Sequence, residues 1–265
     1  MTHIVAIVLG FIEGATEFIP VSSSGHLIIF RKIFETNDIS GLAFDAVLQL
    51  SAALALLVYF WGDIVPLAKD VWRMIRKRSL EVQTNKTLLF AIMLGTIPAI
   101  IFGLIFENWI ETVFRNVELV ALTLILGSVL FWYAEKIAKQ DEVLTWKRGV
   151  IIGLFQCLAL VPGMSRSGAT ISGGLITGLN KDEAVKFSFL LSIPVLLGAG
   201  LKKLFEVRHG LLSMDFGLPL LLGCITAFIT GLFAINFLIR YLKTHNLNIF
   251  IWYRVILAII LIFAF

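Results

Sequence analysis

Apolar residues fill long stretches of this chain, and the places where they give way define its elements. Six stretches, near 42–61, 87–106, 118–135, 187–205, 217–239 and 248–265, are continuous enough to cross a bilayer as helices, which takes roughly 20 residues. Two more, 4–30 and 149–180, are apolar at their ends and broken in the middle by FIPVSSSG and LVPGMSRSG. Proline removes a backbone donor and biases the preceding residue away from helix. Backbone groups freed at membrane depth survive only where protein or a wet cavity covers them. Both broken regions therefore read as helical hairpins that enter the membrane and turn back.

The pattern repeats. Sliding the second broken region onto the first by 143 positions aligns Gly10 with Gly153, Ser22 with Ser165, Ser24 with Ser167 and Gly25 with Gly168, while Glu13 falls on Gln156. Further on, LGTIPAIIFGL (94–104) aligns with LGCITAFITGL (222–232) at an offset of 128, with identity at seven of eleven positions. The offsets differ by 15, which predicts a longer loop near 62–86 in the first half. Each half is then one hairpin and three spans. Because three is odd, the second half is inverted relative to the first. The reading is one membrane domain, 1–265, built from repeats of about 1–140 and 141–265. Its fold class is an all-α polytopic membrane protein with six transmembrane helices and two re-entrant helical hairpins in an inverted-topology repeat.

Composition and charge sharpen this. At 58% hydrophobic and 15% charged over 265 residues, the chain lacks the polar surface a soluble domain needs. The N-terminal stretch has no basic region and carries Glu13 and Glu17, so no cleavable leader is expected. Loops at 69–86, 136–148, 181–186 and 240–243 hold fourteen basic residues, against six at 31–32, 115 and 202–208. The positive-inside rule puts the fourteen in the cytoplasm and both termini outside. The first hairpin then dips in from outside and the second from the cytoplasm, so their tips meet near mid-membrane. The net charge of +4 suits anionic lipids, and its dispersal in short loops gives no nucleic-acid surface. Cys157 and Cys224 sit in apolar segments without metal-ligand spacing and read as small hydrophobes.

The chemistry lies at the tips. Glu13 and Glu17, four residues apart, share one helix face. Carboxylates so placed must be protonated, paired or bound to a cation. After Pro20, the run Ser22-Ser23-Ser24-Gly25 offers hydroxyls and backbone N–H groups that can cradle an anion or satisfy the freed backbone, and His26 follows. On the other tip, Arg166 costs about 2.5–3.5 kcal/mol at membrane depth and cannot discharge itself. Either it pairs with Glu13 or Glu17 to hold the hairpins together, or its planar fork takes a phosphate; both can hold in turn. Ser165, Ser167 and Thr170 flank it. Together these groups make a constellation for phosphate-ester chemistry on a lipid-borne anion.

EGATEFIPVSSSGH (13–26) and LVPGMSRSGAT (160–170) resemble the two motifs of the bacterial undecaprenyl-diphosphatases of the bacitracin-resistance type, and FDAVLQLSA (44–52) is similar to a further stretch of that family. The resemblance spans nearly the whole chain. Ala15 stands where a larger aliphatic is usual, Ser24 and Met164 where Thr is usual; Met164 removes one hydroxyl near the phosphate. The resemblance implies hydrolysis of undecaprenyl diphosphate to undecaprenyl phosphate and inorganic phosphate in the bacterial inner membrane, at a site opening outward, supported by a divalent cation, Mg²⁺ or Ca²⁺. By analogy Ser23 is the nucleophile, His26 and Glu17 activate or orient it, and Arg166 holds the phosphates. Glu13 holds the metal with Glu17 or tunes it, and Ser22, Ser165, Ser167 and Thr170 donate to phosphate oxygens. A histidine nucleophile or a metal-activated water would use the same residues. The partners implied are the polyprenyl diphosphate substrate and membrane lipids, with no nucleic acid and with a homodimer left open. The alternative function is a transporter or flippase of a phosphorylated polyprenyl lipid, whose inverted repeats and broken helices would look alike.

Overall fold

A computed structural model describes residues 2–34, 39–77, 86–113, 117–213 and 217–264. Within them the chain forms eleven helices: α1 (His3–Phe18), α2 (Ser23–Ile33), α3 (Ile39–Tyr59), α4 (Trp61–Lys77), α5 (Lys86–Val113), α6 (Val117–Ile137), α7 (Trp146–Leu158), α8 (Arg166–Ile176), α9 (Lys181–Ser213), α10 (Gly217–Leu242) and α11 (Asn248–Ala264). Four stretches, Lys86–Phe106, Val117–Ile137, Lys181–Phe205 and Gly217–Leu242, are long and apolar enough to cross a membrane, and the bent pair Phe44–Tyr59 with Trp61–Arg76 makes a fifth if counted as one span. The protein is thus an all-α, multi-pass membrane protein. The stretch expected to cross at 248–265 is α11, whose 17 residues fall short of the ~20 needed for an upright crossing.

Both predicted breaks are present. Ile19, held extended before Pro20, ends α1, and the turn 159–165 separates α7 from α8. The longer loop expected near 62–86 is instead largely helix: α4 leaves α3 through a bend of 91°, while 78–85 lies outside the described residues. Its basic residues hid an apolar period that a charge count does not register. Arg31, counted above as a loop charge, is buried in α2. It grips Asp45 of α3 with two hydrogen bonds, Nε–H to Oδ2 at 2.6 Å and Nη2–H to Oδ1 at 2.5 Å.

The packing places the two tips. α1 lies along α10 and α7 along α5, while α3 faces α9 and α6 faces α11. Both long contacts are backbone against backbone. A Cβ added to Gly10 would come within 3.0 Å of the Gly223 carbonyl carbon, and one added to Gly153 within 2.7 Å of that of Gly95. Small residues allow this approach in lipid, where no hydrophobic force separates tails from side chains and close van der Waals packing takes its place. The apolar interior includes Phe18 and Phe189, edge to face at the end of α1, Leu191 beside the α5–α7 contact, and Ile171 and Leu175 of α8. Isoleucines and phenylalanines along α5, α10 and α11 face outward, as a lipid environment permits.

Gly153→Ala is therefore expected to destabilise the protein by about 1–3 kcal/mol through overpacking, read as a lower midpoint of thermal unfolding in detergent. Gly198→Ala, where an added Cβ meets nothing within 4 Å, is expected to leave the midpoint unchanged or raise it.

Candidate active site

The two tips are built alike. Ser22 and Ser165 have φ of 75° and 70°, a region non-glycine residues occupy at a cost of about 1–3 kcal/mol. Each is offset by the same function: its Oγ caps the helix that follows. Ser22 accepts from Gly25 N–H at 3.3 Å and Ser165 from Gly168 N–H at 3.4 Å. The next residue is the first of its helix in each case, Ser23 in α2 and Arg166 in α8.

Glu17, on the last turn of α1, joins them. Its Oε2 accepts from Ser23 Oγ, and its Oε1 accepts from Arg166 Nη2 at 2.9 Å. Glu17 is 7% exposed, so this pair stands almost out of water. Arg166 Nη1 is buried and finds no acceptor among the described residues. Such a donor is an opening for an anion, because a buried N–H left unmet costs about 1–3 kcal/mol or more when charged. One turn earlier, Glu13 is buried with Oε2 unmatched.

Further bonds tie the tips together. Gly163 N–H donates to Ser22 Oγ at 3.1 Å, across 141 residues of chain. Thr123 of α6 donates to Pro162 O at 2.6 Å. Arg254 of α11, fully buried, lays its guanidinium over Phe131, 4.7 Å from the ring centroid. It donates through Nη2 to Gly163 O at 3.0 Å and Leu124 O at 3.1 Å, and through Nε to Ser128 Oγ at 3.2 Å. Gly163 has φ of 95°, and a Cβ there would stand 2.9 Å from Val120 O, so glycine alone fits.

The expected residues thus fall into groups. Glu17, Ser23 and Arg166 meet directly, and Ser22 stitches their tips. His26 does not turn to Ser23: its Nδ1–H donates to Ser22 O at 2.7 Å, which leaves Nε2 to accept from Tyr253 O–H at 2.7 Å. Ser165 and Ser167 hold each other at 3.3 Å. Thr170 is buried, its hydroxyl directed at Arg166 O at 2.8 Å and contacting Ser188 Oγ at 2.5 Å, so its single proton is already engaged. Among the described residues no three His, Cys, Asp or Glu side chains cluster as a protein-only metal site.

Against known proteins, residues 6–260 match the family described as bacitracin resistance protein BacA. The chain belongs to that family. A BacA-family relative, the undecaprenyl-diphosphatase of Mycolicibacterium smegmatis, is 41% identical over 99% of this chain and 96% of its own length. The undecaprenyl-diphosphatase of Chlorobium chlorochromatii is 40% identical, covering 96% of this chain and 94% of its own. That of Renibacterium salmoninarum is 38% identical, covering 98% and 95%.

Tyr253 and Arg254 escaped the sequence reading of this BacA-family chain. The signal was present: an arginine inside IFIWYRVILAII is as costly as Arg166 and demands partners for the same reason.

Arg254→Ala is expected to lower stability by about 2–4 kcal/mol, since it empties a packed volume and strands the Gly163 carbonyl. Arg254→Lys, which keeps the charge and loses the planar fork, is expected to fall between. Thermal midpoints in detergent give the order.

Proposed function

We propose that this protein hydrolyses undecaprenyl diphosphate to undecaprenyl phosphate and inorganic phosphate, recycling the lipid carrier of cell-wall synthesis. The observation that carries it is Glu17 bridging Ser23 and Arg166. A hydroxyl bonded to a carboxylate, beside a guanidinium with an unmet N–H, is a nucleophile, a base and a phosphate clamp in one place. The relatives' shared name supplies the substrate.

In the first step Ser23 Oγ attacks the terminal phosphorus and its proton passes to Glu17. The bond from that phosphorus to the bridging oxygen breaks, and undecaprenyl phosphate leaves with the electron pair. Glu17 gives that proton up to solvent as the lipid product leaves; it then takes a proton from the water that attacks the phosphoserine and hands it to Ser23 Oγ as the phosphorus–Oγ bond breaks and phosphate departs. Arg166 neutralises charge building on the phosphoryl oxygens, where most catalysis of phosphoryl transfer lies. His26 orients the start of α2 by donating to Ser22 O, a bond that fixes its tautomer, while Tyr253 holds the other ring nitrogen. Ser22, Ser165 and Ser167 line the tips as further hydroxyls near the phosphates; Thr170 serves α8 and its contact with α9 instead.

The donor set suits a divalent cation, Mg²⁺ or Ca²⁺. Glu13 offers a buried, unmatched carboxylate oxygen, and such ions accept one or two carboxylates with substrate phosphates completing the shell. Glu13 and Glu17 would hold it, and it would screen phosphate charge. The paired Gly10–Gly223 and Gly153–Gly95 crossings, and the matching φ of Ser22 and Ser165, support a repeat built on two hairpins. The charge asymmetry of the loops supports a site opening on the outer face of the inner membrane.

Purified protein in detergent, supplied with Mg²⁺ or Ca²⁺, is expected to release phosphate from undecaprenyl or farnesyl diphosphate. Ser23→Ala and Glu17→Gln should each lower the rate by at least about 10²-fold, the scale of a lost nucleophile or base. Glu13→Gln should raise the cation concentration needed for half-maximal rate. Phosphate release undiminished in Ser23→Ala would overturn the nucleophile, and none from the wild type would overturn the activity.

A further inference from the structure

Helix α4 presents two apolar faces, and the protein covers only one of them. Leu67 and Asp70 point inward and are buried, and Lys186 of α9 pins the start of the helix through Asp63 at 2.6 Å. The second stripe runs Trp61, Val65, Ala68, Trp72 and Ile75, positions recurring every three or four residues and so sharing one face. Trp61, Trp72 and Ile75 on it are 63%, 62% and 70% exposed. Exposed Lys69 and Arg76 border this stripe on one side. A groove of about 320 Å³ opens there, lined by Val65, Ala68, Lys69, Trp72 and Arg73.

The bend decides what the stripe meets. α3 packs among the long apolar helices α9 and α10, and α4 stands at 91° to it. A helix at a right angle to its membrane-crossing neighbour runs along the bilayer plane. Tryptophan favours the headgroup boundary, where the ring is half apolar and the N–H stays wet. Basic side chains beside such a stripe face lipid phosphates. We infer that α4 is a binding site for anionic phospholipid, its Trp61–Ile75 stripe seated in the headgroup boundary and the groove between Lys69, Trp72 and Arg73 taking a lipid phosphate. The inference does not depend on the reaction proposed above.

The test uses the full chain in phosphatidylcholine vesicles doped with acyl-brominated phospholipid, a quencher of tryptophan. Subtracting the emission of Trp72→Phe from that of the wild type isolates Trp72, and Trp61→Phe gives an independent second reading. Brominated phosphatidylglycerol is expected to half-quench Trp72 at a several-fold lower mole fraction than brominated phosphatidylcholine. Lys69→Gln and Arg76→Gln should each weaken that preference by roughly fivefold, the effect of one basic side chain near an anionic surface. Equal quenching by both headgroups would overturn the inference. So would an unquenched Trp72, and a dimeric mass in detergent would then assign the stripe to a second copy of the chain.

Discussion

Glu17 has two carboxylate oxygens, and each holds one half of the protein. Oε2 takes Ser23 from the first tip and Oε1 takes Arg166 from the second. Neither charge could rest where it does alone. A single arginine at membrane depth costs about 2.5–3.5 kcal/mol on insertion scales, and removing one member of a buried pair costs about 3–5 kcal/mol. The pairing is therefore what lets the two broken helices stop inside the protein. It also sets the distance between hydroxyl and guanidinium.

The same economy explains the strained serines. A helix begun inside a protein leaves N–H groups that side chains must receive. Ser22 and Ser165 each bend into a left-handed conformation that aims a hydroxyl at such a group. The strain and the cap belong together, because removing the hydroxyl leaves the strain without its compensation. With the turn shape secured by the preceding serine, the first helical residue is released for other work. It is serine in one tip and arginine in the other, so a shared backbone geometry presents a hydroxyl opposite a cation.

Much of this was legible in the sequence because Pro, Gly and charge are costly in lipid and so announce their positions. FIPVSSSG and LVPGMSRSG marked both turns, and the 143-residue offset matched Ser22 to Ser165. What spacing could not supply is rotation about a helix and contact across the chain. His26 lies three residues after Ser23 on α2, yet its ring turns toward Tyr253, 227 positions away. Thr170 has the right chemistry for a phosphate donor and spends it on its own helix and on Ser188. α4 was masked by its basic residues, and Arg254 by the apolar run around it, although the cost that drew attention to Arg166 applies equally to both arginines.

The ties between the tips also bear on enzyme against carrier. A carrier alternates by rocking one repeat against the other about the bound ligand, so contacts crossing the site must break in every cycle. Here Glu17–Arg166, Ser22–Gly163, Thr123–Pro162 and Arg254–Ser128 all join the two repeats, from four different helices and in an interior where each unmet partner is expensive. Rocking would open several at once with no water to replace them. Hydrolysis needs the opposite: reacting groups held still while the substrate's own bonds rearrange, with the donors already aimed before charge develops. The stitching that makes transport costly is the preorganisation that phosphoryl transfer uses.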